Sequence, residues 1–556
     1  MAPEIQAETC SPVQSKPDRI EAAFWPLILA ATAAGLLIRL YVGRKTYIDF
    51  DEWQHLFMAG TPRWADLLFE LRTNSHPPLF FLLLRGIVRL GNTALYRVIP
   101  IAAGTASIVV VGLIARRILR TLAIQALCAA SFALSIAAIT VSTEIRSYQL
   151  AMMLMLLAFW AWLSMYPDAN ENRASGSLLF GICASLAILS HYSTVFFLGA
   201  CTGVPLMLAA AVPRLRREWL SPSRRNSLRR AGLAIAVPWS VFACLYFVHI
   251  RKQLMQPYTP EFYGGGTRGE SSFHFVARNG QSFFNLFSPI EAHTPAAFAI
   301  VVAAATIMLL LYFWNSRRTY AGVASVSFAI SVLALMVIAS LAQKYPFGGM
   351  LRHQYVAAPF LLIAFFVLLD SFFRATRPSL QWAIFAVGVT LAVVNVAARL
   401  HTVIVFPDTV ILKEEHDVWR ANFGATRAVY VDHWGVIAFF IHTSTIPRTF
   451  VRRVRSKIHI NEYQLPDGTQ IFYDRTRDNL DLTDPEVYQN FAECLRDSGV
   501  RELSLYFLAT EVRTLPQAAA ERDRVITQNA ATQGLTVTRI VAANDSVFAG
   551  FRLAGK

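Results

Sequence analysis

The chain has 556 residues, of which 55% are hydrophobic and 16% charged, and its mean hydropathy is positive. Soluble globular domains carry about 25% charged residues, so this composition excludes an ordinary soluble protein and predicts an integral membrane protein. A net charge of +15 would suggest a nucleic-acid partner in a soluble protein. In a membrane protein, basic loops set the topology and contact anionic lipid, so we expect a membrane-lipid partner and no nucleic acid.

Eleven apolar runs are each close to the 20 residues that an α-helix needs to cross a bilayer. They lie at about 22–43, 96–115, 121–142, 147–166, 175–190, 192–212, 231–250, 295–314, 320–341, 355–373 and 380–398. The runs predict an all-α polytopic membrane protein with about eleven transmembrane helices. Residues 1–19 lack an apolar core, so we expect no cleavable signal peptide and a first run that remains as an anchor.

Clusters of arginine and lysine predict how the spans are oriented. The strongest basic cluster lies within 214–230, and Arg317-Arg318 follows the eighth run. Placing these clusters in the cytoplasm also places the N-terminal tail, residues 1–21, in the cytoplasm. The membrane domain then covers 22–399, its first external loop covers 44–95, and everything after residue 399 is extracytoplasmic.

One apolar segment does not fit a membrane span. Pro77–Leu90 has only about 14 residues, and Arg85 and Arg89 interrupt it. This length favours an interfacial or re-entrant helix over a crossing. If the segment did cross, every later loop would change sides and the basic clusters would lie outside.

The composition becomes mixed after Arg399, as in a soluble domain. The residue patterns at 428–431, 470–473 and 502–506 predict strands. Helical periodicity predicts helices at 485–498 and 516–531. Residues 400–556 are therefore expected to form an extracytoplasmic α/β domain, with a turn at Pro466-Asp467-Gly468 before the second strand.

The first external loop contains the acidic pair Asp51-Glu52, followed by His55. Charges near a bilayer are costly, so an acidic pair in this position indicates a functional site. Such carboxylates can act as a general base or hold a divalent cation, and such a pair can also be a solvated helix start.

Two further polar clusters are predicted on the same face. His76, before Pro77-Pro78, can contact a phosphate or a metal, although two prolines also suit a helix start. In the run 144–148, Arg146 suits bidentate phosphate binding and Tyr148 suits a sugar or lipid contact. A salt-bridged turn at the interface is the alternative for this run.

A fourth cluster, residues 344–353, contains three basic residues around a Gly-Gly turn. Basic residues on the external side are not explained by the positive-inside bias. A Gly-Gly turn also allows backbone amides to approach an anion. The segment therefore predicts a phosphate site, with an ordinary loop against lipid headgroups as the alternative. No P-loop or dinucleotide fingerprint accompanies it, so a soluble nucleotide is not expected.

The order of these motifs resembles the GT-C fold glycosyltransferases that use polyprenyl-phosphate sugars. The likeness is to the protein O-mannosyltransferase-like and aminoarabinose-transferase-like group, including bacterial RgtA/B/C/D-type membrane glycosyltransferases. It covers about residues 20–370. The matching residues are Asp51-Glu52, His76-Pro77-Pro78-Leu79, Arg97, Glu144-Ile145-Arg146-Ser147-Tyr148, Ser190-His191-Tyr192 and the stretch Tyr345–His353.

The resemblance implies transfer of a hexosyl or pentosyl group to a glycan, lipid or protein acceptor at the external face of the bacterial inner membrane. It implies that Asp51 deprotonates the acceptor, that the anomeric carbon inverts, and that Glu52 supports Asp51 or binds a metal. The implied donor-phosphate residues are Arg97, Arg146, Lys344, Arg352 and His353. The implied substrate-binding residues are His55, His76, Glu144, Tyr148, His191, Tyr192 and Tyr345.

Metal dependence differs among GT-C enzymes, so a divalent ion such as Mg²⁺, Mn²⁺ or Zn²⁺ stays open, with Asp51, Glu52 and His76 as candidate ligands. The six cysteines show no CxxC or Cys/His spacing and so indicate no structural zinc site. Two other functions fit many spans with buried charges: a transporter or flippase of a lipid-linked sugar, and a non-catalytic GT-C-like scaffold. An enzyme needs Asp51, whereas a scaffold tolerates asparagine there.

Overall fold

The computed structural model describes residues 17–73, 76–164, 173–221, 225–251, 271–287, 294–314, 319–404, 409–443, 449–454, 457–475, 481–506, 518–543 and 546–555. Ser75, in the predicted His-Pro-Pro motif, lies outside the described residues. The chain divides into two compact units. The first contains Met1–Thr46, Thr73–Leu83 and Ala94–Ile404, and the second contains Tyr47–Arg72, Leu84–Thr93 and Val405–Lys556.

The described residues form helices throughout and strands only near the C-terminus. The helices are α1 (Pro17–Lys45), α2 (Phe50–Gly60), α3 (Trp64–Thr73), α4 (Pro78–Arg89), α5 (Val98–Ile118), α6 (Leu122–Ala133), α7 (Ile136–Thr143), α8 (Tyr148–Leu163), α9 (Arg173–Ser190), α10 (Thr194–Ala211), α11 (Pro213–Trp219), α12 (Arg225–Leu245), α13 (Ser272–Phe287), α14 (Pro295–Trp314), α15 (Tyr320–Leu341), α16 (Leu351–Gln354), α17 (Ala358–Phe373), α18 (Pro378–Val403), α19 (Thr409–Phe423), α20 (His433–Thr443), α21 (Pro485–Ser498) and α22 (Ala519–Thr532). The strands are β1 (Ala428–Val431), β2 (Thr449–Val454), β3 (Lys457–Gln464), β4 (Gln470–Asp474), β5 (Leu503–Leu505), β6 (Leu535–Ala543) and β7 (Ser546–Leu553).

Among the described residues, seven helices are long and apolar enough to cross a membrane: α1, α5, α10, α12 with the π-helical turn after it, α14, α15 and α18. The pair α6–α7 forms an eighth apolar segment, bent by 46°. Three shorter apolar helices, α8, α9 and α17, coincide with the remaining predicted runs. The predicted class, a polytopic helical membrane protein with a C-terminal α/β region, is confirmed. Eleven crossings stay a prediction.

A buried arginine lies at the bend between α6 and α7. Arg39 of α1 is 0% exposed. Its guanidinium donates to Ser142 Oγ at 2.8 Å, and to the carbonyls of Gly35 at 3.0 Å and Ala133 at 3.1 Å. Ala133 is the last residue of α6, where helix carbonyls lack an intrahelical donor. Arg39 therefore satisfies backbone that the bend would otherwise leave unpaired.

Aromatic rings fill the core of the first unit where α8, α10, α15 and α17 meet. The rings of Phe159, Phe197, Phe328 and Phe360 lie with neighbouring centroids 4.8–5.4 Å apart. Edge-on and tilted contacts of this kind are favourable beyond the area that they bury. The packing ties together helices that are distant in sequence.

The second unit contains a seven-stranded sheet in the order β2-β3-β4-β1-β5-β7-β6. β1 pairs in parallel with β4 and β5, and the other neighbours are antiparallel. Apolar side chains of α21 and α22 pack on the sheet in one core, which includes Tyr430, Phe491 and Phe551. The three predicted strands correspond to β1, β4 and β5, and the two predicted helices to α21 and α22.

The helices α2 and α3 belong to this second unit, although they precede the strands of its sheet by more than 300 residues. The ring of Phe57 on α2 lies 5.5 Å from that of Phe440 and 5.2 Å from that of Tyr473. On α3, Asp66 lies 3.4 Å from Arg475 Nη1. The sequence places a domain boundary at residues 399–400, whereas this compact unit also takes in 47–72 and 84–93.

Arg85, which interrupts the apolar run of α4, is buried in the second unit. Its guanidinium donates to the carbonyls of Ala59, Thr61 and Pro62 at the end of α2. The last carbonyls of a helix lack an intrahelical donor, and a cation there also favours the helix dipole. The charge of Arg85 disfavours α4 as a membrane span, and the same side chain holds α4 against the end of α2.

Candidate functional site

Three of the predicted substrate-binding residues meet in the first unit, in what we call the His–Tyr cluster: His76, Tyr148 and His191. His76 precedes α4, Tyr148 begins α8, and His191 follows α9. Their ring centroids lie 4.5 Å apart for Tyr148 and His191, 5.6 Å for His76 and His191, and 6.2 Å for His76 and Tyr148. The sequence predicted these residues separately, and the structure brings them into contact.

The hydrogen bonds of His191 define the tautomer of its ring. The backbone N–H of Ser193 donates to His191 Nδ1 at 3.1 Å, and Ser193 Oγ lies 2.7 Å from the same atom. Nδ1 is therefore an acceptor, which places the proton of the neutral ring on Nε2. Ser193 is not among the predicted site residues, although its hydroxyl, two residues after the histidine of the Ser-His-Tyr motif, was an available signal.

Positive charge surrounds the Tyr148 hydroxyl. Arg146, Arg352 and Glu144 all interact electrostatically with it. Arg146 is buried, and its Nε lies 3.9 Å from a carboxylate oxygen of Glu144. Two guanidinium groups against one carboxylate leave an excess positive charge beside the His–Tyr cluster. Arginine forks of this kind match the geometry of a phosphate group.

The loop 344–353 contributes Tyr345 and the Gly-Gly turn. The Tyr345 hydroxyl donates to the His353 carbonyl at 2.5 Å, and the Tyr345 ring lies 4.7 Å from that of Phe196. Burial raises the pKa of Tyr345, so the phenol stays protonated at neutral pH. Gly348 has φ +77°, and a Cβ there would lie 2.3 Å from the Asn279 carbonyl oxygen. The turn thus fits closely against α13.

Three other predicted residues are placed differently. Arg97 is buried and donates to the carbonyls of Thr143 at 2.7 Å, Thr46 at 3.1 Å and Gly43 at 3.3 Å, so it caps the ends of α7 and α1. The Tyr192 hydroxyl pairs with His249 Nδ1 in the π-helical turn after α12. Lys344 is exposed. Their roles in donor or substrate binding stay predictions.

The acidic pair lies in the second unit, in the first turn of α2. The Asp49 side chain accepts from the Glu52 N–H at 2.7 Å, and the Glu52 carboxylate accepts from the Asp49 N–H at 2.8 Å. This reciprocal arrangement is a capping box. Glu52 is buried within it, whereas Asp51 is partly exposed. Of the two carboxylates, Asp51 is the more accessible to a substrate.

His55 lies one turn further along α2 and is buried. Its Nδ1 lies 2.7 Å from the Asp51 carbonyl oxygen. A carbonyl can only accept, so Nδ1 carries the proton. His55 therefore stabilises the backbone that carries Asp51. Its predicted contact with substrate stays a prediction.

The candidate metal ligands can be compared with the donor sets that proteins use. Within the described ranges, no group of three or more His, Cys, Asp and Glu side chains could hold a metal ion. Glu52 also already accepts a backbone N–H through its carboxylate. Metal binding by Asp51, Glu52 and His76 stays a prediction, because Mg²⁺ can be held by one or two carboxylates together with substrate oxygens and water.

Comparison with known proteins gives three findings. The family described as dolichyl-phosphate-mannose-protein mannosyltransferase matches residues 75–242, and no curated protein matches the chain. ArnT from Cupriavidus metallidurans in the apo state is similar with a TM-score of 0.54 and 12% identity, over 94% of this chain and 97% of that chain. The apo oligosaccharyltransferase of Archaeoglobus fulgidus gives a TM-score of 0.46 and 12% identity, over 87% and 69%.

The likeness to ArnT extends over nearly the whole of both chains. It shows that this chain has the GT-C fold, and the match to the mannosyltransferase family agrees with it. The GT-C fold that the order of motifs implied is therefore confirmed. The matched segment, 75–242, contains the whole His–Tyr cluster and Arg146.

Proposed function

We propose that this chain is an integral membrane glycosyltransferase that moves a sugar from a polyprenyl-phosphate donor to an acceptor at the external face of the bacterial inner membrane. The observation that carries the proposal is the His–Tyr cluster with Arg146 and Arg352 beside it. The matching family is described by a dolichyl-phosphate-linked sugar, which is a donor of this class. The sugar is a hexose or a pentose, and the acceptor a glycan, lipid or protein.

Arg146 and Arg352 bind the phosphate of the donor. In the transition state the bond between the anomeric carbon and the phosphate oxygen breaks, and negative charge develops on the departing polyprenyl phosphate. Guanidinium groups held in place before the reaction stabilise that charge at little reorganisation cost. Glu144, 3.9 Å from Arg146 Nε, orients the guanidinium. Lys344, His353 and Arg97 extend the positive field of the donor site.

The His–Tyr cluster binds the sugar. Nε2–H of His191 and the Tyr148 hydroxyl offer donors to sugar hydroxyls, and the aromatic faces suit the C–H surface of a pyranose. The Tyr345 phenol, protonated at neutral pH, closes the same region. His76 completes the pocket through its ring contacts with Tyr148 and His191.

Asp51 acts as the general base. A hydroxyl or amine of the acceptor gives its proton to the Asp51 carboxylate and attacks the anomeric carbon from the face opposite the phosphate, so the configuration inverts. The electron pair of the broken bond leaves with the polyprenyl phosphate. Glu52 holds the start of α2 through the capping box and so positions Asp51.

Sugar transfer by the full-length protein tests this assignment. The assay uses nanodiscs, a panel of radiolabelled polyprenyl-phosphate sugars and membrane acceptors. Asp51→Asn is expected to lower kcat about 10²- to 10⁴-fold, because asparagine cannot take the proton. Asp49→Asn is the matched control, since it removes a carboxylate two residues away and keeps a good N-cap.

Three other results of this assay would contradict the assignment of Asp51 or the proposed function. Transfer that survives Asp51→Asn would move the base to Glu52 or Glu144. If wild type consumes no donor but moves lipid-linked sugar across sealed vesicles, the chain is a transporter and the proposal fails. If the wild type does neither, and the Asp51→Asn variant still supports assembly of a glycan in cells, the chain is a scaffold.

A further inference from the structure

The second unit contains a polar cavity at the end of α19, next to the turn that joins β3 to β4. Its volume of about 450 Å³ falls within the range of small-ligand sites. α19 contributes His416, Trp419 and Arg420, α20 contributes Phe439, and the turn contributes Asp467 and Thr469. All six residues lie outside the motifs whose order resembles the GT-C enzymes.

Aromatic side chains form the apolar part of the wall. His416, Trp419 and Arg420 are spaced i, i+3 and i+4, so they share one face of α19. The ring of Trp419 lies 5.5 Å from that of Phe439 and 5.4 Å from that of Tyr506, and these contacts hold the indole in place. The indole N–H is buried and has no hydrogen-bond acceptor among the described residues. An unsatisfied buried donor is costly, so an oxygen atom supplied by a ligand is favoured beside it.

The turn between β3 and β4 fixes a carboxylate at the cavity. Asp467 Oδ1 accepts from the Thr469 N–H at 3.0 Å, and Oδ2 accepts from the Thr469 hydroxyl at 3.0 Å. The Leu465 N–H donates to the Thr469 carbonyl at 2.9 Å, and Gly468 supplies a φ of +87°. Each oxygen of an ionised carboxylate accepts about two hydrogen bonds, so both oxygens of Asp467 retain a lone pair for a ligand hydroxyl.

The charges of the cavity favour a neutral ligand over an anion. Arg420 and Asp467 carry opposite charges, and both side chains are exposed. A phosphate bound beside Arg420 would be repelled by the Asp467 carboxylate in the same cavity. Sugar hydroxyls suit both groups, because they donate to a carboxylate and accept from a guanidinium. An aromatic wall with a few polar groups also suits the C–H surface of a sugar ring.

A peptide matches this cavity less well. A peptide that adds to a sheet pairs its backbone with an edge strand. Thr426 and Thr469 line the cavity just before β1 and β4, and each of these strands has a neighbour on both sides. Among the described strands, those that begin at the cavity therefore offer no edge for backbone pairing. Recognition depends on side chains, as it does for sugar hydroxyls.

We propose that this cavity binds a saccharide, and that in the reaction proposed above the saccharide belongs to a glycan acceptor. The second part rests on the proposed function. The donor sugar is assigned to the His–Tyr cluster of the first unit, whereas Asp51, the proposed base, lies on α2 in the second unit. α20 contacts both features of the second unit: Phe439 lines the cavity, and the ring of Phe440 lies 5.5 Å from that of Phe57 on α2. A glycan in this cavity is therefore held by the unit that carries the base.

Binding to the full-length protein in phosphatidylcholine nanodiscs tests the cavity directly. The probes are maltotriose, mannotriose, galactotriose and chitotriose, and a blocked tripeptide that contains serine. Wild type is expected to bind at least one trisaccharide. Arg420→Gln and Asp467→Asn are each expected to weaken that binding about tenfold, because a charge-assisted hydrogen bond is lost. Arg501→Gln removes an exposed arginine that does not line the cavity, so it is the matched control and should bind as wild type does.

The outcomes separate the two parts of the proposal. Binding of no trisaccharide would overturn the saccharide assignment, and so would binding of the tripeptide that is lost in Arg420→Gln. Equal binding by wild type and both cavity variants would overturn the cavity. In the transfer assay with a glycan acceptor, Arg420→Gln should raise the KM of the acceptor about tenfold and leave kcat and the KM of the donor unchanged.

An unchanged acceptor KM or a raised donor KM would overturn the acceptor role. Trisaccharide binding that is weakened in Arg420→Gln and Asp467→Asn, without any sugar transfer by wild type, would contradict the proposed function and leave the cavity standing.

Discussion

At the scale of single residues, Glu70 on α3 is the carboxyl group whose environment most disfavours its charge among those with a resolved shift. Burial raises its pKa from 4.5 to about 7, and the nearby carboxylate of Asp66 adds to the effect. Arg475, with Nε 3.7 Å away, and a hydrogen bond from Tyr473 lower the pKa only in part. Asp66 shares Arg475 and also pairs with Arg63 at 2.9 Å. One buried arginine thus serves two carboxyl groups.

This arrangement makes the stability of the second unit depend on pH. The folded pKa lies above the unfolded one, so between pH 4.5 and 7 the folded state binds more protons at Glu70 than the unfolded state does. Stability is therefore expected to fall as pH rises through this window, by up to about 3 kcal/mol from this one group. Thermal denaturation of wild type and Glu70→Gln at pH 5, 6, 7 and 8 measures it.

Glutamine keeps the shape of the side chain and does not titrate, so Glu70→Gln should flatten the dependence on pH. The difference between variant and wild type isolates the contribution of Glu70 from that of other titrating groups. Glu486→Gln, on the exposed surface of α21, is the control and should keep the slope of wild type. A slope that is unchanged in Glu70→Gln would show that this carboxyl is ionised throughout the range.

At the scale of elements, the turn at Gly348-Gly349 joins the loop 344–353 to α13. Gly348 has φ +77°, and a Cβ there would meet the backbone of Asn279. Gly348→Ala is therefore expected to destabilise the loop by about 1–3 kcal/mol, from left-handed backbone strain and from the contact. Because this loop carries Tyr345 and Arg352, transfer activity should fall with it. The measurements are the melting temperature and kcat/KM.

Gly349 provides the matched control for this substitution. A Cβ at Gly349 meets nothing within 4 Å, and its φ is not in the left-handed region. Gly349→Ala should therefore leave the melting temperature and the activity close to those of wild type. Equal losses in both variants would mean that the turn needs general flexibility rather than the close approach at Gly348.

The sequence predicts those elements whose signal is local. The apolar runs locate the membrane helices because each run is long and nearly free of charge. The bend between α6 and α7 is absent from the prediction, because the run 121–142 contains no charged residue and the bend is supported by Arg39, a residue of another helix. β2 and β3 were also missed, because they carry charges such as Arg452 and Glu462, which pair across the strands at 2.7 Å.

For the candidate site too, the sequence predicts local features and not the contacts between distant segments. His76, Tyr148 and His191 stand in short motifs, so their residue types could be read from the sequence, but their contact depends on the packing of three helices. The ties of α2 and α3 to the C-terminal sheet could not be foreseen. Asp66 and Arg475 are separated by 409 positions, and no local pattern links them.

At the scale of the whole molecule, these ties constrain the membrane topology. Asp66 of the first loop and Arg475 of the C-terminal region are 3.4 Å apart within one unit, so both lie on the same side of the bilayer. The chain between them must cross an even number of times. Six long helices and the bent pair α6–α7 lie between them in the described part of the chain, which is an odd number. If each of these seven segments crosses, at least one of α8, α9 and α17 must also cross.

The helix α4 is too short to be the additional crossing that makes the number even. It has 12 residues and is about 18 Å long, whereas the hydrocarbon core is about 30 Å thick. Its Arg85 also contacts the end of α2. If α8, α9 and α17 all cross, ten crossings separate the first loop from the C-terminal sheet, as the eleven predicted runs require. If only one of them crosses, the number is eight, and the first loop and sheet still share a side.

Labelling of single cysteines with a membrane-impermeant maleimide tests this topology in intact cells. In a background without native cysteines, Asn92→Cys and Asp467→Cys are both exposed in the second unit and should both react. Arg217→Cys, in the basic cluster that the positive-inside rule places in the cytoplasm, should react only after permeabilisation. Reaction at Asn92→Cys without reaction at Asp467→Cys would separate the two segments and contradict the single unit. Protection of both, with Arg217→Cys labelled, would keep the even number of crossings and reverse the orientation, which would move the proposed site to the cytoplasmic face.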